Sequence, residues 1–130
     1  MLKSWNLTNI KFISSNNNFK KFGIEKLAKI DEKRFMLYNY SYINIMGGLG
    51  VIKTIKVDSC SSIKSIDNKG IIIIGGYSNI YVIRSDNYEL IQTIYNAHEY
   101  YIKNLVVIND TILHSSSTDD YSVQIWSLEK

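Results

Sequence analysis

The sequence predicts an all-β fold made of repeated four-stranded antiparallel sheets, and three observations predict it. Apolar residues come in short runs, alternating or continuous, and no long stretch sets them at helical spacing. Side chains that favour strands are abundant, with ten tyrosines and four phenylalanines among 130 residues beside many isoleucines. The chain also repeats itself: Val51 to Val57 reads VIKTIKV, and Leu90 to Asn96 reads LIQTIYN at an offset of 39 residues. Carried forward, that offset sets Ser59 against His98, Ile63 against Ile102 and Ile66 against Leu105. The ends correspond as well, Lys3 to Leu7 reading KSWNL and Gln124 to Leu128 reading QIWSL. Trp5 and Trp126 stand 121 positions apart, or three periods of roughly 40.

In chain order, Leu2 to Leu7 reads as the end of one strand and Ile10 to Ile13 as the next, followed by a polar loop from Ser14 to Lys21. Strands are then expected at Ile24 to Ile30, Arg34 to Asn39, Tyr42 to Met46 and Val51 to Val57, punctuated by Asp31-Glu32-Lys33 and by the glycines 47, 48 and 50. Ile24 to Ile30, spelling IEKLAKI, is the one place where helical spacing competes, and the repeat frame assigns it as a strand. A second set falls at Cys60 to Ile66, Gly70 to Gly76, Asn79 to Arg84 and Glu89 to Tyr95, and a third at Tyr101 to Ile108, Thr111 to Ser117 and Ser122 to Ser127. Four short strands per period is the pattern of a propeller blade. The expected organisation is a single domain over residues 1–130, a β-propeller-like array of about three four-stranded antiparallel blades, incomplete as a closed ring. The blades fall roughly at 22–57, 58–95 and 96–128, with 1–21 an outer strand and loop.

The last period, NAHEYYIKNLVVINDTILHSSSTDDYSVQIWSL, holds a histidine, a serine run, paired aspartates and a tryptophan in a fixed order. In that order it resembles the WD-repeat β-propeller family. Ala97-His98 stands at the family's Gly-His dipeptide, Ser115 to Ser117 at its serine stretch, Asp119 or Asp120 at its turn aspartate, and Trp126-Ser127 at its closing Trp-Asp. The resemblance implies a structural hydrogen-bond network of His98, Ser116, Asp120 and Trp126, with Ser116 chosen from the run. It implies the role of a non-catalytic protein–protein interaction scaffold. It also places Tyr100, Tyr101 and Asp119 in loops that the family presents to partners. Such a network needs every member, because a buried polar group left unpaired costs about 1–3 kcal/mol. The middle period has Ser59 where the histidine should be and Ile83 or Arg84 near the tryptophan position, and the first has neither residue, so those blades must rely on apolar packing.

Other functions find little support in the residues. A metal site at His98, with His114 and the aspartates, lacks a well-spaced third ligand. The serines lack the Gly-x-Ser-x-Gly elbow of a nucleophile, and the glycine pairs lack the strand–loop–helix context of a phosphate site. No catalytic residue, metal or cofactor is expected. The single cysteine, Cys60, cannot form an intramolecular disulfide, which fits a reducing compartment. The N-terminus lacks the apolar core of a signal peptide, and no apolar run approaches the ~20 residues of a membrane helix. The expected location is therefore intracellular, cytoplasmic or nuclear, without membrane partners.

Charge is unevenly spread. Residues 1–65 carry eleven Lys/Arg against four Asp/Glu, and residues 66–130 carry four against eight, for a net charge of +3. The basic half makes RNA or ribonucleoprotein binding the alternative function. Three blades are fewer than the four to eight that close a propeller. Either these residues are a fragment of a larger propeller or a degenerate or truncated product, or two copies join head to tail and close a six-bladed ring, each lending Thr8 to Ile13 to the other's last blade.

Overall fold

The computed structural model describes Phe12 and residues 26–48, 50–117 and 120–128. The expected strands Leu2 to Leu7 and Ile10 to Ile13, with Trp5, lie outside the described residues apart from Phe12, which is exposed. Eleven strands follow in order: β1 (Lys26–Lys29), β2 (Phe35–Tyr38), β3 (Tyr42–Gly47), β4 (Gly50–Lys56), β5 (Ser62–Ile66), β6 (Ile71–Gly75), β7 (Ile80–Arg84), β8 (Leu90–Ile94), β9 (Asn104–Ile108), β10 (Ile112–Ser117) and β11 (Ser122–Ser127). They form three antiparallel meanders, β1-β2-β3-β4, β5-β6-β7-β8 and β9-β10-β11. The first two sheets have four strands, as expected, and the third has three among the described residues. IEKLAKI supplies β1, a strand and not a helix: paired to β2, it keeps Ala28 against the core and leaves Leu27 exposed.

Turn chemistry explains where the strands stop. Asn109 and Asp110 both adopt left-handed backbone angles, φ 54° and 57°, in the three-residue connection that they form with Thr111 between β9 and β10, closed by the Thr111 N–H on the Ile108 carbonyl. Gly70, at φ 64°, ends a 3-10 turn over Asp67–Lys69 and opens β6. Asp31 caps the first hairpin by accepting from the backbone N–H groups of Lys33 and Arg34 at 2.9 and 2.8 Å.

Two hydrophobic clusters hold the sheets together. Met36, Tyr38, Ile43 and Ile45 from the first sheet meet Cys60, Ile72, Ile74 and Ile83 from the second. On the other face of the second sheet, Ile66, Ile73 and Ile80 meet Ile102 and Leu113 with half-buried Leu105, Val107 and Trp126. The run Ile71 to Ile74 is thus apolar at every position because β6 is buried on both sides. Burial also pushes the Cys60 thiol up to about 12, so it is a protonated, unreactive core residue at neutral pH.

Strand register corrects the repeat frame. Ile66 pairs with Ile71 and Ile108 pairs with Ile112, so the counterpart of Ile66 is Ile108 and not Leu105. The cause is the connection between sheets, residues 57–61 after the first and 95–103 after the second, which shifts the offset once the outer strand is passed.

Polar ties cross between sheets beside the apolar contacts. The Arg34 guanidinium donates to the Ser85 carbonyl and, at 2.8 Å, to the Tyr88 hydroxyl, while Asp31 holds it from below at 2.8 Å. Ser61 and Ser62 each donate to the Ile102 carbonyl at 2.7 Å, drawing the third sheet onto the second. Gly75 lies at this seam, where a Cβ would come within 2.9 Å of Ile102 Cγ2. Gly75→Ala should therefore lower unfolding free energy by about 1–3 kcal/mol through overpacking, measured by urea denaturation. Gly48→Ala, with no atom within 4 Å of its Cβ position, is the comparison in open space.

Candidate functional site

The polar residues of the third sheet gather where it meets the second. Alternation along β10 points Leu113, Ser115 and Ser117 at the second sheet and His114 and Ser116 away from it. Ser115 is fully buried, and His98 reaches it from the 95–103 connection with Nε2 at 2.8 Å from Oγ. Trp126, opposite Leu113 on β11, donates its indole N–H to the same Oγ at 2.9 Å. Ser116 was the wrong serine: its side chain projects from the opposite face, and Ser115 takes the place expected of it.

The donors and acceptors fix the proton positions. Indole is a donor only, so Ser115 Oγ accepts from Trp126; the Asp120 carboxylate only accepts, so in the neutral ring the proton sits on His98 Nδ1 and Nε2 accepts from the Ser115 hydroxyl. His98 Nδ1 donates its proton to Asp120 Oδ2 at 3.1 Å, with Ser122 Oγ 3.0 Å away. Asp120 also accepts from the Ser122 hydroxyl at 2.6 Å, the Ser122 N–H at 3.0 Å and the Glu99 N–H at 2.9 Å. These donors, the Ser122 hydroxyl foremost, pull its carboxyl down to about 2 from an ordinary 3.8. Asp120 is therefore the turn aspartate, and Asp119 lies outside the described residues. The network joins the 95–103 connection, the middle strand of the sheet and its edge strand.

Serine, histidine and aspartate in hydrogen-bonded series suggest a hydrolase, and the burial argues otherwise. The Ser115 hydroxyl is closed to solvent and already accepts from Trp126, so no substrate carbonyl reaches it. His114 projects on the face away from His98, between Val106 and Ile125, and takes no part. Among the described residues no group of three His, Cys, Asp or Glu side chains is arranged to hold a metal ion. In the middle sheet Ile74 and Ile83 occupy the positions of Ser115 and Trp126 and pack into the first cluster, so apolar contact replaces the network there.

Aromatic residues from three loops meet at one end of the array. Tyr77, in the β6–β7 turn, lies edge-on to Tyr101 and Tyr100, with ring centroids 4.9 and 6.3 Å away. Tyr40, in the β2–β3 turn, tilts against Tyr101 at 5.6 Å. Tyr40, Tyr77 and Tyr100 are each more than 40% exposed, so this is surface and not core. The family resemblance points to Tyr100 and Tyr101 but not to Tyr40 and Tyr77, which only the packing of neighbouring sheets brings beside them.

Arranged this way, the chain has the fold of a partial WD40-type β-propeller. No family model matches it, and no curated protein matches its sequence. Among solved structures it is similar to the crystal structure of the WD40 β-propeller domain of Doa1, at a TM-score of 0.57 and 17% identity. The match covers 81% of this chain and 40% of that one, so the chain spans less than half the length of that propeller. At this identity the likeness speaks for the fold. No helix among the described residues is long and apolar enough to cross a membrane.

Two outcomes test the network. Ser115→Ala leaves the Trp126 N–H and His98 Nε2 without their partner and should cost about 2–4 kcal/mol, whereas Ser116→Ala should stay within about 0.5 kcal/mol, both read by chemical denaturation. Because the folded carboxyl of Asp120 titrates below its unfolded value of 3.8, its stabilising contribution is complete above that pH and is lost as the pH falls through about 2. Asp120→Asn should flatten this acid limb of a plot of stability against pH.

Proposed function

We propose that this chain is a non-catalytic protein–protein interaction scaffold of WD-repeat type and forms part of a larger propeller. The observation that carries the reading is the exposed tyrosine cluster, drawn from loops of three sheets and held on a rigid array. Tyrosine presents a large contact area at little entropic cost and is enriched where binding energy concentrates. Tyr100 and Tyr101 are the central contacts, and Asp119 is proposed from the sequence as a further one. His98, Ser115, Asp120 and Trp126 act beneath this surface, fixing the connection that carries the two tyrosines. Partners are other proteins, or the remainder of the propeller, in an intracellular, cytoplasmic or nuclear setting.

The alternative, RNA binding through the basic half, draws less support. Three of the cations described there are already engaged: Lys26 donates to the Ser61 carbonyl at 2.8 Å, Lys29 pairs with Glu32 at 2.8 Å, and Arg34 is clamped by Asp31.

Tyr100→Ala and Tyr101→Ala together should reduce partner capture at least tenfold in a quantitative pull-down while leaving the thermal midpoint nearly unchanged, since a single anchor is worth about 2 kcal/mol. Undiminished capture by the double variant removes the contact assignment. Capture of RNA that falls steeply with added salt, in place of protein, would instead favour the nucleic-acid reading.

A further inference from the structure

Beside the tyrosine cluster, a groove opens where the second and third sheets meet. Tyr77 forms one wall, and Ser78, Asn96, Glu99, Asp120 and Gln124 form much of the rest. Among the described residues that line it, the charged side chains are two carboxylates, with no lysine or arginine. Asp120 stays ionised because four donors converge on it. Glu99 is exposed, and no cation among the described residues forms an ion pair with it. The ring cluster already accommodates one cation at another point, since the Lys103 ammonium sits 5.2 Å from the Tyr101 centroid. A negative groove with an aromatic wall and amide and hydroxyl acceptors at its margins has one natural complement.

We infer that this groove binds an arginine side chain presented by an extended segment of a partner protein, the guanidinium lying against Tyr77 and forking onto Glu99. The inference rests on the scaffold reading and names the chemistry of the partner. Arginine fits better than lysine because its planar group stacks on a ring and donates in pairs to a carboxylate. Its remaining N–H groups find the side-chain oxygens of Asn96, Ser78 and Gln124. The flanking backbone of the partner would run over Tyr100 and Tyr101, so the groove supplies selectivity and the tyrosines supply area.

The test uses the full chain and N-acetyl-arginine amide as probe, followed by amide NMR shifts. Saturable shifts centred on Tyr77, Asn96 and Glu99 are expected in the millimolar range, with none from N-acetyl-glutamine amide. Glu99→Gln and Tyr77→Leu, both surface changes, should each weaken the response roughly threefold, as befits one exposed ion pair or one cation–π contact. An equal response to the glutamine amide, or an arginine response unchanged in both variants, overturns the proposal. If partner capture depends on Tyr100 and Tyr101 and the arginine amide produces no shifts, the groove assignment falls and the scaffold reading stands. If the arginine response is as expected and the double tyrosine variant captures partner normally, the groove stands and the tyrosine contacts fall.

Discussion

Four successive isoleucines, Ile71 to Ile74, lie between two hydrophobic clusters, and their alternation decides how the three sheets stack. Ile72 and Ile74 enter the first cluster and Ile73 enters the second, with Ile71 packed at its margin. A strand buried on both faces has no polar side to turn to water, so it forms only if a sheet covers each face. The middle sheet therefore depends on both neighbours, and neither neighbour buries these isoleucines alone. A propeller extends the same rule, each sheet lending one face backward and one forward. The outward face of the third sheet keeps that character: Val106, Ile108, Val123 and Ile125 are exposed, and Ile108 matches the buried Ile66 of the sheet before it.

Polar groups then settle what apolar packing leaves undetermined. Hydrophobic clusters tolerate sliding, because dispersion contacts are many and weak. A hydroxyl that must reach one carbonyl does not. Ser61 and Ser62 converge on the Ile102 carbonyl, Arg34 spans to the Ser85 carbonyl and the Tyr88 hydroxyl, and Asn68 meets Asp110 at 2.6 Å. The middle sheet is thereby tied to the third at both ends, and to the first by Arg34 at one end and by Lys26, on the Ser61 carbonyl, at the other. The histidine–serine–tryptophan network belongs to the third sheet alone, where Leu113 is the one fully buried aliphatic on β10 and neighbouring positions are serines. Where the second sheet has Ile74, the third has Ser115, and a buried hydroxyl demands partners that isoleucine does not.

Much of this was legible in the residues. Strand spacing and the repeat frame placed all eleven described strands within a few residues, and the resemblance of the last period to the WD-repeat pattern implied a structural network of His98, one of the paired aspartates and Trp126. Ser116 failed for a reason internal to strands. The run Ser115 to Ser117 offers identical side chains on alternating faces, and nothing in the composition says which face the sheet buries until Leu113 is placed in the second cluster. The repeat frame failed beyond the outer strand because a longer connection is invisible to an offset drawn from the strand before it. The tyrosine cluster was half legible: Tyr100 and Tyr101 lie in a recognisable connection, while Tyr40 and Tyr77 lie in turns of other sheets and join it only in three dimensions.

The position of that cluster follows from the network below it. Residues 95–103 form a connection without regular structure, and such a segment would ordinarily be mobile. Here its backbone is fastened along its length: Asn96 N–H to Asn79, His98 N–H to the Ser78 carbonyl, Glu99 N–H to Asp120, and Ile102 N–H to the Gly76 carbonyl. The His98 side chain adds an anchor into the buried face of the third sheet. Tyr100 and Tyr101 therefore project from a clamped loop, and a rigid surface loses less entropy when a partner arrives. Residues that look catalytic in sequence serve to fix the connection that carries the exposed tyrosines, and the groove beside them takes part of its charge from the same Asp120 that fastens the loop.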